Sequence, residues 1–215
     1  MYLLNNILNK KLIKPLAFYL IVKNRTNSVI YNYNPNRLSK ITKLNHRTCQ
    51  KYVDLLLNAG LCELHNGNLL FKNQYKFGGG YRHKLEHGTF KHVVNQLYSI
   101  LLLNNKKQQR FNAGNKISTN RKLKKILTKS IEDNIFFSSR SIARTLGASR
   151  SSAMNILRKL KSDNIISYEE RLKFIKFMRG SEFALFVKNI DNPFNYRFNN
   201  GCLYLHQGIR IGANR

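Results

Sequence analysis

Residues 38–61 and 142–165 are one gapless pattern written twice, 104 positions apart: LSKITKLNHRTCQKYVDLLLNAGL and IARTLGASRSSAMNILRKLKSDNI. Apolar or small residues match at Leu38/Ile142, Leu44/Ala148, Cys49/Ala153, Tyr52/Ile156, Val53/Leu157, Leu56/Leu160 and Leu61/Ile165. A helix-capping residue matches at Asn45/Ser149. Within each copy the last helix keeps apolar residues at i, i+3, i+4 and i+7, the spacing of one buried helical face. A chain built this way must fold around two copies of the same short helix pair.

Everything else in the sequence has to fit around those copies. A length of 215 residues suits one large core or two small ones. An apolar fraction of 42% is enough for globular packing. Charge is the outlier. There are 38 Lys and Arg against 10 Asp and Glu, a net +28, and the excess runs along the whole chain. Such a polycation repels itself unless a polyanion neutralises it, so nucleic acid is the expected partner. A membrane is not expected: the run Leu12–Val22 is broken by Lys14 and Pro15 and is far shorter than the roughly 20 residues of a span. It also lacks the small-residue cleavage site of a secretory signal. Three cysteines, Cys49, Cys62 and Cys202, form an odd set with no close pair, which points to a reducing, cytoplasmic setting. Abundant Asn, Lys and Ile suggest an AT-rich genome.

The flanks of the first copy can be read in order. Pro15 opens a helix over 14–23, Val29, Ile30, Tyr31 and Tyr33 suggest a short strand, and Pro35 starts a second helix through Lys43. Asn45 caps a third helix that Gly60 ends. Apolar runs then flank His65-Asn66-Gly67-Asn68, a strong hairpin signal. The second copy has a basic amphipathic helix expected over 121–134, a short strand at 135–137, a cap at Ser138 or Ser139 and the turn Gly147-Ala148. Its hairpin is expected from 172–178 and 183–187, with Arg179-Gly180-Ser181 at the tip; a tight turn at Glu169-Glu170-Arg171 is the alternative.

Helix, strand, helix, helix, hairpin is the order of a winged helix-turn-helix domain, and both segments resemble that superfamily. The fold class expected is therefore mainly α with small β wings (α+β). The domains expected are 11–72 and 119–190, joined by a linker (73–118) and followed by an extension (191–215). The linker holds the flexible Gly78-Gly79-Gly80 and a helix over 89–104, whose stripe Phe90, Val93, Val94, Leu97, Ile100 and Leu101 could serve a homodimer. A loop is expected over 106–116, and an extra strand or a minor-groove arm after Asp191.

The resemblance implies double-stranded DNA as partner, read in the major groove by the N-terminal end of the last helix. The candidates are Asn45, His46, Arg47, Thr48, Gln50 and Lys51 in the first copy. In the second they are Arg150, Ser151, Ser152, Met154, Asn155 and Arg158. His65, Asn68, Arg179 and Ser181 are the expected wing contacts to phosphate. Sequence-specific transcription regulation, of phage, plasmid or bacterial type, is the first expectation. The architecture is also similar to phage and plasmid replication initiators that bind origin repeats, and a sequence-neutral packaging protein is a third reading.

No enzyme, cofactor or metal is expected. There is no GxxxxGK[ST] phosphate loop, no C-x2-C pair, no His-x-His and no D…D…E set. His83, His87 and His92 have ligand-like spacing but no nearby acidic or cysteine cluster in sequence.

Overall fold

The computed structural model describes residues 2–4, 8–72, 82–117, 135–189 and 196–213. The expected helix over 121–134 and the triple glycine at 78–80 lie outside the described residues. The chain divides into two compact units, Met1–Leu101 and Leu102–Arg215. Both combine helices with small antiparallel sheets, an α+β architecture.

In the first unit, α1 (Ile13–Arg25) is buried from Leu16 through Val22. A helix that is apolar all round has to sit at the centre of a core rather than on its surface. Against it pack α2 (Pro35–Thr42) and α3 (His46–Asn58). Leu38, Cys49, Val53 and Leu56 are wholly buried. The hairpin of β3 (Cys62–His65) and β4 (Asn68–Phe71) turns at Asn66 and Gly67, both at positive φ. A two-residue strand, β2 (Val29–Ile30), pairs with β4, so the sheet order is β2-β4-β3. A separate pair joins β1 (Tyr2–Leu4) to β5 (Arg82–Lys84).

Helix α4 runs from Phe90 to Ile117, and the division between the units falls inside it. Residues 106–116, expected as a loop, are therefore helical: nothing in Lys106–Lys116 except Gly114 opposes a helix, and Lys, Gln, Arg and Ala favour one. Its expected dimer stripe is used at home. Val93 and Leu97 are wholly buried and Val94 nearly so, in the core of the first unit, where Tyr52 packs between Phe18 and the stacked ring of Phe90.

In the second unit, α5 (Ser139–Leu146) and α6 (Arg150–Ser162) repeat α2 and α3 with both ends displaced by 104 residues. Ile142, Ala153, Leu157 and Leu160 are wholly buried at the positions of Leu38, Cys49, Val53 and Leu56. The repeat extends to backbone detail. Lys43 and Gly147 close the first helices at φ 59° and 65°, and Leu61 and Ile165 donate to the carbonyls of Leu56 and Leu160 at 2.9 and 3.0 Å. The start of the unit is fixed by α4: Leu102 is buried, Asn105 donates to Thr145 Oγ1 at 2.7 Å, and Lys106 Nζ to the Ile211 carbonyl at 2.8 Å.

The expected hairpin at 172–187 does not form. β6 runs unbroken from Ile166 to Phe177, so Glu169-Glu170-Arg171 is strand rather than turn. Gly180–Lys188 is a helix, α7. The partner of β6 is β8 (Cys202–Ala213), with the short β7 (Tyr196–Asn199) on its other side, in the order β6-β8-β7. The strand expected at 135–137 is reduced to a single bridge from Phe137 to Ile209, so beside the helices β8 lies between that bridge and β6, as β4 lies between β2 and β3. A limit at residue 190 would cut this central strand from its sheet. The extension contributes a strand because Ile209 and Ile211 are needed to close the core; both are wholly buried.

A bulge divides the long ribbon. Between the pairs Arg171/Gly208 and Leu172/His206, Gln207 is left unpaired. Gly208 has φ 150°, and a Cβ there would stand 2.7 Å from that of Phe136, so only glycine lets the two strands approach. On one side of the bulge the sheet seals the helices. On the other it carries α7 and β7.

Candidate nucleic-acid interface

Helix α3 starts at His46 because the Asn45 side chain accepts from the Arg47 N–H at 2.9 Å, satisfying one orphan donor of the first turn. In α6 Ser149 accepts from the Ser152 N–H at 3.2 Å. These caps fix where each helix begins, and so which side chains occupy its first two turns. On α3, His46, Arg47 and Lys51 are exposed and Thr48 is half-buried. On α6, Ser151, Ser152, Asn155 and Arg158 are exposed and Arg150 is half-buried.

Two expected readers are not on the open face. Met154 is 5% exposed and belongs to the core with Ala153, Leu157 and Leu160. The buried stripe of α6 is one residue wider than the i, i+3, i+4, i+7 pattern suggests, and an unbranched thioether fills the gap. Gln50, at the same repeat position, is half-buried: its Oε1 accepts from Tyr33 Oη at 2.8 Å and its Nε2 donates to Asp54 Oδ1 at 2.8 Å. Burial and the nearby Asp54 push the Tyr33 phenol up to about 12, so it stays a donor at physiological pH. Gln50 is thus held by its own domain.

The wing residues divide similarly. His65 is exposed at the hairpin end, while Asn68 Oδ1 accepts from the Asn32 N–H at 2.9 Å and fastens the hairpin to the loop before α2. Tyr33 N–H donates to the Gly67 carbonyl at 2.7 Å and reinforces that tie. Arg179 and Ser181 are at no hairpin tip. They open α7, where the Arg179 N–H donates to Glu182 at 2.8 Å.

One matched pair of cations escaped the reading of the sequence. Lys40 and Arg144 stand at the same repeat position, exposed, in the last turn of the helix preceding each turn.

The electrostatics of both faces follow from where the acids are spent. Glu63 pairs with Lys72 at 2.9 Å, Asp163 with Lys159 at 2.5 Å, Glu170 with Arg197 at 3.1 Å, and Glu169 with Arg210. Glu86 lies 3.5 Å from His92, and Asp54 holds Gln50. No carboxylate occurs in the first turn of α2, α3, α5 or α6. Where α3 has Asp54, α6 has Arg158, which donates to Asn155 at 3.0 Å.

His83, His87 and His92 do not converge: His87 meets Asn24 at 3.4 Å and His92 faces Glu86. Among the described residues no group of three or more His, Cys, Asp or Glu could hold a metal ion. No helix among them is long and apolar enough to cross a membrane. Cys49 and Cys62 are buried thiols whose pKa values are raised by that burial, Cys62 to about 12. No family profile, curated protein or solved structure compared with the chain matches it.

Proposed function

We propose that both units are winged helix-turn-helix domains and that the chain binds double-stranded DNA sequence-specifically, through the first turns of α3 and α6. The observation that carries this reading is a repeated scaffold with unrepeated outward residues. Buried positions match across 104 residues, whereas His46, Arg47, Thr48 and Lys51 are replaced by Arg150, Ser151, Ser152 and Asn155. Neither first turn carries a carboxylate that would repel phosphate. Arginine at a major-groove helix makes bidentate bonds to guanine, and Asn does so to adenine. Lys40 and Arg144, exposed at matched positions, are the phosphate contacts of this reading, which position without specifying. The site read is asymmetric, since the two faces differ, and no catalytic role is assigned.

Transcription regulation in a cytoplasmic, nucleoid setting is the first role proposed. Initiation at origin repeats is the second, and it is favoured by the open aromatic ribbon beyond the bulge of β8. Selection of bound duplexes from a random pool, followed by titration across a salt series, tests the reading. A preferred sequence is expected, with Arg47→Ala and Arg150→Ala each costing about 1–3 kcal/mol of discrimination at separate half-sites. Affinity that falls with salt and never distinguishes sequences would replace it with a packaging role.

A further inference from the structure

Directly paired residues of neighbouring strands share a face. Leu172, Phe174 and Phe177 stand opposite His206, Tyr204 and Cys202, so these six form one face of the distal ribbon. The other face carries Leu203, Leu205, Tyr196 and Phe198 and is covered by α7: Phe183 stacks on Phe198 at 4.8 Å, and Phe186 meets Tyr196 edge-on at 5.0 Å. Among the described residues nothing comparable covers the first face. Leu172 is 40% exposed, Phe174 46% and Phe177 77%, with the bulged Ile175 at 42%. Phe174 touches Phe177 and Tyr204, so the rings form one contiguous patch.

Cations flank those rings from the other side of the same edge strand: Lys173 and Lys176 stand opposite Leu205 and Leu203 and so belong to the opposite face, at its exposed β6 edge. Arg171, Lys173, Lys176 and Arg179 are all exposed, and no carboxylate falls between Glu170 and Glu182. Those two flanking acids are themselves occupied, Glu170 by Arg197 and Glu182 by the Arg179 N–H. We propose that this edge of the ribbon is a binding platform for single-stranded nucleic acid, with bases stacked on Phe174 and Phe177 on the open face and phosphates held along the β6 edge by Lys173, Lys176 and Arg179.

Rings on one side of an edge strand and cations on the other suit a chain whose bases are unstacked and whose backbone carries one charge per nucleotide. A closed duplex offers its edges and phosphates but no base faces, unless a side chain is driven between steps. A second copy of this chain is a poorer occupant. β6 is an edge strand, but pairing it with itself brings Lys173 and Lys176 against like charges, the arrangement that discourages edge-to-edge association. The inference rests on the nucleic-acid reading of the chain but not on its recognition helices. It adds a second mode in which α3 and α6 hold a duplex and the ribbon holds a strand released beside it.

The test uses the full chain with fluorescein-labelled oligo-dT and, separately, a labelled duplex of the selected sequence, read by anisotropy. The Phe174→Ala/Phe177→Ala variant is expected to lose about tenfold or more in affinity for the strand and to keep its duplex affinity. Arg47→Ala should do the reverse. The chain has no tryptophan, so Phe177→Trp gives a single reporter whose emission should be quenched when oligo-dT is added. Equal strand binding by the alanine variant, an unquenched Trp, or a loss confined to the duplex would overturn the proposal, the last marking a wedge between base pairs. A fall in sedimentation mass on substitution would overturn it in favour of self-association. Absence of duplex binding with strand binding retained would sink the recognition-helix reading alone.

Discussion

Lys43 and Gly147 show how one backbone requirement is met by two residues at different cost. Both lie in the left-handed region at the turn between the paired helices, where a side chain costs about 1–2 kcal/mol and glycine costs little. Lys43→Gly should therefore raise the stability of the first unit by about 1 kcal/mol, read from denaturant midpoints, while lowering duplex affinity through a lost cation. A loss of stability would show that the lysine makes up its strain elsewhere. Met154 tests the burial assignment. Met154→Ala should cost about 2–4 kcal/mol in stability and leave base preference unchanged, because a core side chain cannot reach a groove. A changed preference with intact stability would return Met154 to the outward face. At this scale caps and turns were legible in the sequence, since Asn45, Ser149, Gly60 and Gly147 each meet a local demand. Gln50 and Met154 were not, because the exact width of a buried stripe depends on partners such as Tyr33 that are distant in sequence.

Among the elements, the β1–β5 pair and the docking of α4 join distant stretches and were not legible, but the rest of the first unit could be read because its partners lie close in sequence and Asn66-Gly67 sets the register of its hairpin. The second could not. Its β6 and β8 are separated by an inserted helix and strand, and adjacency in sequence wrongly suggested a hairpin through Arg179 and Ser181. The ribbon they form carries a pH dependence. The His206 side chain is 4% exposed, and burial lowers its pKa below the usual imidazole value; Glu170 at 3.7 Å opposes this and Arg197 adds to it. Its Nε2 has no hydrogen-bond partner. The folded state thus favours neutral imidazole, and the unfolded chain takes up the proton first. The resulting stability is complete above the unfolded value of about 6.5 and is lost as pH falls through the lower folded one. Thermal midpoints measured from neutral to mildly acidic pH should drop more steeply for the wild type than for His206→Gln. Parallel curves would mean that His206 titrates alike in both states.

For the whole molecule, charge and repetition say different things. A net +28 favours any polyanion as partner without choosing one, whereas the repeat gives two scaffolds that carry different outward residues. Composition made the first legible and periodicity the second. The open face of the ribbon was hidden from both, because Leu172, Phe174 and Phe177 read as core until their cross-strand neighbours and the position of α7 are known. The central claim is that α3 and α6 read two different words. Selecting bound sequences in parallel with the wild type, Arg47→Ala and Arg150→Ala tests it most directly. One asymmetric site is expected in the wild-type pool, with each variant blurring a separate half and sparing the other. A pool without preference, or two variants that blur the same positions, would contradict it.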